Sequence, residues 1–278
     1  MKTVYPAICA ALLLLIFDAR FSTAFAQGSL TPATGPAPTM KSLDQIEARI
    51  PISSAPYAIT SPGSYYVTTN LTVSSGTVIN IGTNCVTLDL NGFTLSSTSS
   101  SPNGFGIQLG LAGGNTDITI INGHISGGST TNFNDGIAYN ALPSNIRVAN
   151  VSVTGCRFFG LDLGTGNSSV IESCTAQFIG GIGLSASSIS HSSAYQCGNF
   201  AIFGNVISDC VGNGGNAGID AIDTATGCFG SSATGTGLSA TVAVNCHGIS
   251  TSGTGLNATV ASSCYANTES IVNKYNMP

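Results

Sequence analysis

The chain has 278 residues, 42% hydrophobic and only 7% charged, with no Trp and a formal net charge of −5. Charged side chains make up about a quarter of an ordinary soluble domain; here Gly, Ser, Thr, Asn and Ala fill the deficit, so hydroxyls and amides rather than ions coat the surface. The seven Lys and Arg are scattered, which excludes a phosphate-binding face and with it a nucleic-acid partner.

In chain order, Lys2, the apolar run Ile8 to Phe17 and the small-x-small triplet Ala24-Phe25-Ala26 read as a signal peptide over residues 1–26. The run is shorter than the roughly 20 residues that span a bilayer, and no second long apolar stretch follows. The mature chain is therefore expected to be secreted, extracellular or in the cell envelope, without a membrane span. Residues 27–40 are rich in Pro, Gly, Ser and Thr and read as a flexible linker. Within residues 41–56, Ser42 and Gln45 form a capping box, Leu43, Ile46 and Ile50 recur at helical spacing, and Pro51 stops the pattern. This predicts a short N-terminal helix that caps the open end of a sheet.

From residue 57 to residue 278 the pattern is β. Short β-branched runs such as Val86-Thr87-Leu88-Asp89-Leu90, Ile118-Thr119-Ile120-Ile121 and Ile146-Arg147-Val148 alternate with Gly-, Asn- and Ser-rich turns. Internal repetition is the strongest signal. Gly235-Thr236-Gly237-Leu238-Ser239-Ala240-Thr241-Val242-Ala243 returns 18 residues later as Gly253-Thr254-Gly255-Leu256-Asn257-Ala258-Thr259-Val260-Ala261. Cys210, Cys228, Cys246 and Cys264 share that spacing; Cys174 lies two periods before Cys210, with Ser192 between. Ile219 arrives one residue early, which predicts a bulge or a shortened turn. A β-coil explains the period better than a helix, where each Gly costs about 1 kcal/mol. Each coil stacks on the previous one, with Gly expected to supply positive φ at corners. Earlier coils are longer, so a taper is expected, and roughly ten coils at about 4.8 Å give a rod on the order of 50 Å. The fold class is thus all-β, a single-stranded right-handed parallel β-helix or β-solenoid.

Pro62-Gly63-Ser64-Tyr65-Tyr66-Val67-Thr68, Asn70-Leu71-Thr72-Val73 and Val86 through Leu95 resemble the opening coils of right-handed parallel β-helix repeat proteins of the pectate-lyase-like superfamily. The chain is similar in particular to an uncharacterised group of secreted bacterial proteins with Cys-containing Gly-Thr-Gly-Leu repeats. The resemblance covers nearly all of the mature chain. It implies the fold; it does not select among the lyases, glycoside hydrolases, epimerases, adhesins and phage spikes that share it.

Several residue sets bear on chemistry. The stacked cysteines are either neighbouring disulfides or a buried stack of thiols; parallel side chains favour thiols. Cys156 and Cys197 suggest a separate column. No Cys-x2-Cys or His-x3-His pair points to zinc. Ser173, His191 and Asp209 also recur every 18 residues, but no nucleophile elbow surrounds Ser173 and an open sheet offers no oxyanion hole. Asp162 and Asp220 stand in similar repeat contexts about three coils apart, Asp220 and Asp223 share a bend, and Asp89 should face solvent. Arg147 and Arg157 sit beside no Asp cluster. His124 reads as an ordinary strand residue, and His247 should point away from Cys246. Asn91, Asn122 and Asn150 suggest an amide ladder, and Thr236/Thr254 and Thr241/Thr259 should stack.

These observations assign no catalytic, cofactor or metal residue and imply no cofactor. The expected function is that of a non-catalytic extracellular solenoid that binds a polysaccharide or another cell-surface glycan, or serves as a structural element there. A carbohydrate-active enzyme, polysaccharide lyase or glycoside hydrolase, is the alternative, and self-association through a sheet edge is a third expectation.

Overall fold

The computed structural model describes residues 48–128 and 132–277. The expected signal peptide, the linker and residues 41–47 of the expected helical segment lie outside these residues. The end of that helix is corrected: Ile50, Pro51 and Ile52 form a strand that pairs in parallel with Tyr65, Tyr66 and Val67. Ile52 is fully buried while Ile50 stays exposed. Among the described residues this strand pairs on one side only, which is where Pro51 is tolerated.

The described residues contain 25 strands and no helix, and each strand pairs in parallel with a strand of the next coil. This is a β-solenoid. One column of partners shows the stacking: Tyr57, Ile79, Ile107, Ile137, Leu161, Leu184, Ile202, Ile219, Leu238, Leu256 and Glu269. At about 4.8 Å per rung it runs on the order of 50 Å. Coil length is not a simple taper. It grows from Leu71↔Leu95 to Val86↔Ile118, then contracts through Ile118↔Ile146 and Ser152↔Thr175 to the 18-residue coils. The core follows the width. Ile, Leu and Val fill the early coils, whereas Ala240, Ala243, Cys246, Ala258, Ala261 and Cys264 fill the narrow late ones, where larger side chains would overfill the interior. Glu269–Tyr275 forms the last described rung, and Ile271 and Met277 close against the core end.

The early arrival of Ile219 has two compensating causes. Ala194 pairs with Gly212 but Cys197 with Gly214, so this coil is one residue short. Gly204 then pairs with Ala221 but Val206 with Thr224, so Ile222 and Asp223 face Asn205 alone and restore the register as a bulge.

Glycine shares the role expected of it at the corners: ten described glycines, Gly92, Gly128, Gly155 and Gly227 among them, have positive φ, and so do fifteen residues with side chains. One corner column holds Asn91, Asn122, Asn150, Ser173, His191, Asp209, Asn245 and Ser263 at φ between 49° and 60°, with Gly227 in one coil. Asn, Asp and His tolerate this left-handed conformation better than other residues with side chains. The repeat glycines Gly237 and Gly255 do not have positive φ; close packing requires them.

The residue after that corner points inward and is the cysteine column. Cys174, Ser192, Cys210, Cys228, Cys246 and Cys264 stack in it, all buried. The eight described cysteines are unbridged. Each column thiol turns back to the carbonyl two residues earlier, as in Cys210 Sγ to Ser208 O at 3.1 Å, and Ser192 Oγ donates likewise to Ser190 O at 2.7 Å. A small inward donor is therefore what the corner selects, and sulfur or oxygen serves. Burial pushes the Cys174 and Cys210 thiols up to about 11, so they stay protonated at neutral pH. Cys210→Ser is expected to change stability by less than about 1 kcal/mol, whereas Cys210→Val, which loses the donor, costs about 1–2 kcal/mol. Urea denaturation of both variants checks this. Cys156 and Cys197 occupy a separate column with Ile179 between them.

Candidate functional site

Each coil from Gly106-Ile107 to Gly255-Leu256 carries a small residue followed by Ile or Leu, both buried, as in Gly136-Ile137, Gly160-Leu161, Gly183-Leu184, Ala201-Ile202, Gly218-Ile219 and Gly237-Leu238. A strand normally alternates its faces. Two consecutive inward residues mean that the chain bends there, so the residues on either side of the pair both project outward. Stacked along the axis, these flanking residues form two walls of an outer groove. The first wall includes Phe105, Asp135, Phe159, Ile182, Phe200, Ala217 and Thr236. The second includes Gln108, Ala138, Asp162, Ser185, Phe203, Asp220, Ser239 and Asn257.

Two observations show that the bend is concave. Phe200 and Phe203, one on each wall, stack with ring centroids 5.6 Å apart. Ala138 and Ser185 are only 8% and 4% exposed although they face outward; equivalent outward residues on the other faces, such as Thr87 and Arg147, are exposed.

The groove holds three carboxyl groups. Asp135 Oδ1 accepts from Phe159 N at 2.9 Å. Burial, opposed by this bond and reinforced by the charge of Asp162, pushes its pKa from an ordinary 3.8 to about 6. Asp162 Oδ1 accepts from Gly164 N at 3.2 Å, and burial raises its pKa against the bonds from Gly164 and Ser185. Tyr139 is half-buried beside Asp162, and burial and that charge raise the phenol's pKa. Asp220 lies three coils further on in the column of Asp162, as its repeat context indicated, and burial raises its pKa against a bond from Ser239. None of the ion pairs among the described residues involves these three carboxyls. Beyond the bulge, Asp220, Ile222, Ser239, Thr241, Asn257, Thr259, Ser270 and Val272 line a cavity of about 280 Å³.

The other residues singled out in the sequence lie elsewhere. Ser173, His191 and Asp209 do stack, with His191 Nε2 3.8 Å from Asp209 Oδ2, but both of these side chains are more than half exposed. Among the described residues no hydrogen bond joins Ser173 to His191, so the set is a corner column without the geometry of a triad. The amide ladder belongs to the same corner: Asn150 Nδ2 donates to Asn122 Oδ1 at 3.4 Å, and Asn122 Nδ2 to Asp89 Oδ1 at 3.3 Å. Asp89 is less open than expected, being half-buried and paired with Arg49 at 3.2 Å. Asp223 sits in the bulge with Asn205 Nδ2 3.4 Å away. Arg147 pairs with Glu172 at 2.5 Å, and the Arg157 guanidinium lies over the Phe158 ring. His124 Nδ1 meets Ser152 Oγ at 2.6 Å on an exposed strand. His247 faces away from buried Cys246, between the rings of Phe229 and Tyr265. Thr241 and Thr259 stack in the cavity lining.

Asp135 and the aromatic wall escaped sequence reasoning. Their signal was the motif itself: Phe105-Gly106-Ile107, Asp135-Gly136-Ile137 and Phe159-Gly160-Leu161 share one pattern with a variable outer residue. Fold and groove together define a β-solenoid with an aromatic and acidic axial groove. No protein-family model, curated protein or solved structure matches the chain. Among the described residues no helix is long and apolar enough to cross a membrane.

Proposed function

We propose that the chain is a secreted solenoid of the pectate-lyase-like superfamily that binds glycan along this groove without cleaving it. The observation that carries the reading is the Phe200–Phe203 pair set in a sheltered row of hydroxyl, amide and carboxyl groups. Sugars offer apolar ring faces rimmed by hydroxyls, and sites that hold them combine an aromatic surface with a few fixed polar groups. Rungs about 4.8 Å apart present one outward residue per wall at each step along an extended polymer. Residues 27–278 should bind at least one soluble polysaccharide saturably, and Phe200→Ala with Phe203→Ala should weaken that binding about tenfold or more. Affinity electrophoresis on a polysaccharide panel reads both; unchanged binding in the double variant would remove the groove from the proposal.

Asp135 and Asp162 favour a second reading, a carbohydrate-active enzyme. They are neighbours of raised pKa in the same groove, and glycoside hydrolysis uses one protonated and one ionised carboxyl group. Reducing ends that accumulate with time, and are lost in Asp162→Asn, would replace the binding reading with this one.

A further inference from the structure

The cavity behind the bulge narrows the class of glycan. Its floor is the lattice of Ser239, Thr241, Asn257 and Thr259, and its ends are Asp220 with Ile222 and Val272. Every polar group in it is a hydroxyl, an amide or a carboxylate. The same holds along the groove, whose walls carry Asp135, Asp162 and Asp220 but no Lys, Arg or His. The nearest cation in sequence, Arg157, is turned onto the Phe158 ring. A half-buried carboxylate without a cationic partner is costly, and a ligand cation relieves that cost. A uronate polymer would add like charges to a sheltered acidic groove and be repelled.

We infer that the groove selects amino sugars, with Asp220 in the cavity receiving a protonated sugar amine and Asp162, on the same wall, receiving a second one about three rungs away. Asp220 and Asp162 are specificity-determining residues in this assignment; the aromatic pair between them holds the ring faces whatever the substituent. The inference rests on the glycan-binding reading, so its test separates the two.

Calorimetric titration near pH 6 compares four oligosaccharides of equal length: β-1,4-linked glucosamine, its N-acetylated form, the cello-oligosaccharide and an oligogalacturonate. The glucosamine oligomer should bind about tenfold or more tighter than the neutral ones, and the oligogalacturonate should not bind. Asp220→Asn and Asp162→Asn should each lower the ratio of glucosamine-oligomer to cello-oligomer affinity. Asp209→Asn, which removes an exposed corner charge, should leave the preference intact and so exclude general attraction to an acidic protein. Equal affinity for glucosamine and cello-oligosaccharides, or a preference that survives both groove variants, overturns the amino-sugar assignment and leaves the groove reading standing. Binding of none of the four by the wild-type chain overturns the amino-sugar assignment; the glycan-binding reading falls only if the polysaccharide panel is negative as well.

Discussion

Gly160→Ala is expected to cost at least about 3 kcal/mol of folding stability, a large share of the roughly 5–15 kcal/mol that holds a domain together. A methyl group at Gly160 would lie 2.4 Å from the Gly183 carbonyl oxygen of the next coil and 3.0 Å from Val153 Cγ1. The first contact is backbone. It cannot yield without separating two coils whose register continues through Phe159↔Ile182 and Leu161↔Leu184, so the strain spreads into the ladder rather than into a rotamer. Gly136 repeats the arrangement against the Gly160 carbonyl at 2.4 Å. The column does carry one methyl, at Ala201. Urea denaturation of Gly160→Ala, read by far-ultraviolet circular dichroism, checks the expectation; a midpoint within about 1 kcal/mol of wild type would show that the coils can move apart and would undo the packing account of the groove.

Asp135→Asn should move stability in the opposite direction. In the fold Asp135 titrates near 6, and its ordinary value is 3.8. Between these two values the folded chain holds a proton that the unfolded chain has lost, so stability falls as pH rises through that window and stays lower above it. The asparagine keeps an oxygen to accept from Phe159 N and has no charge to desolvate. At pH 7 the variant should therefore be more stable than wild type by about 1–2 kcal/mol once partial exposure of the site is discounted. Near pH 3.5, where both chains are neutral at this position, the difference should vanish. Thermal melting across pH 3.5–7.5 tests the sign; a variant less stable than wild type at pH 7 would mean that Asp135 is stabilised by something other than the Phe159 bond. A carboxylate kept in a groove at the expense of stability is the pattern expected of a binding residue rather than a structural one.

Repetition made the solenoid legible. The 18-residue offset of the Gly-Thr-Gly-Leu segments and the Cys210–Cys264 series specify a parallel coil, because only stacking buries the inward Leu, Val and Cys of one coil against those of the next. The same count placed Asp162 and Asp220 about three coils apart and located an irregularity at Ile219; Cys156 also falls on the 18-residue grid, and it was the shared context Cys-x3-Gly-Leu and Cys-x3-Ala-Ile that set Cys156 and Cys197 aside. These are local or periodic properties, and a period is written directly in the chain.

The groove is different. Whether Phe200 and Phe203 face the same way depends on two consecutive inward residues between them, Ala201 and Ile202, and strict alternation would have put those rings on opposite faces. The role of glycine was likewise decided in three dimensions: Gly160 and Gly237 are needed for the closeness of the next coil, while in the corner column that precedes the cysteines Asn, Ser, His and Asp supply every left-handed position except Gly227, so Ser173, His191 and Asp209 share a column for backbone reasons. The sequence alone determined the period, and with it the coil, the column partners and the small interior. Only the tertiary structure decided which outward residues meet in a sheltered concavity, because concavity comes from where the chain bends, and that bend is fixed by contacts between coils far apart in the sequence.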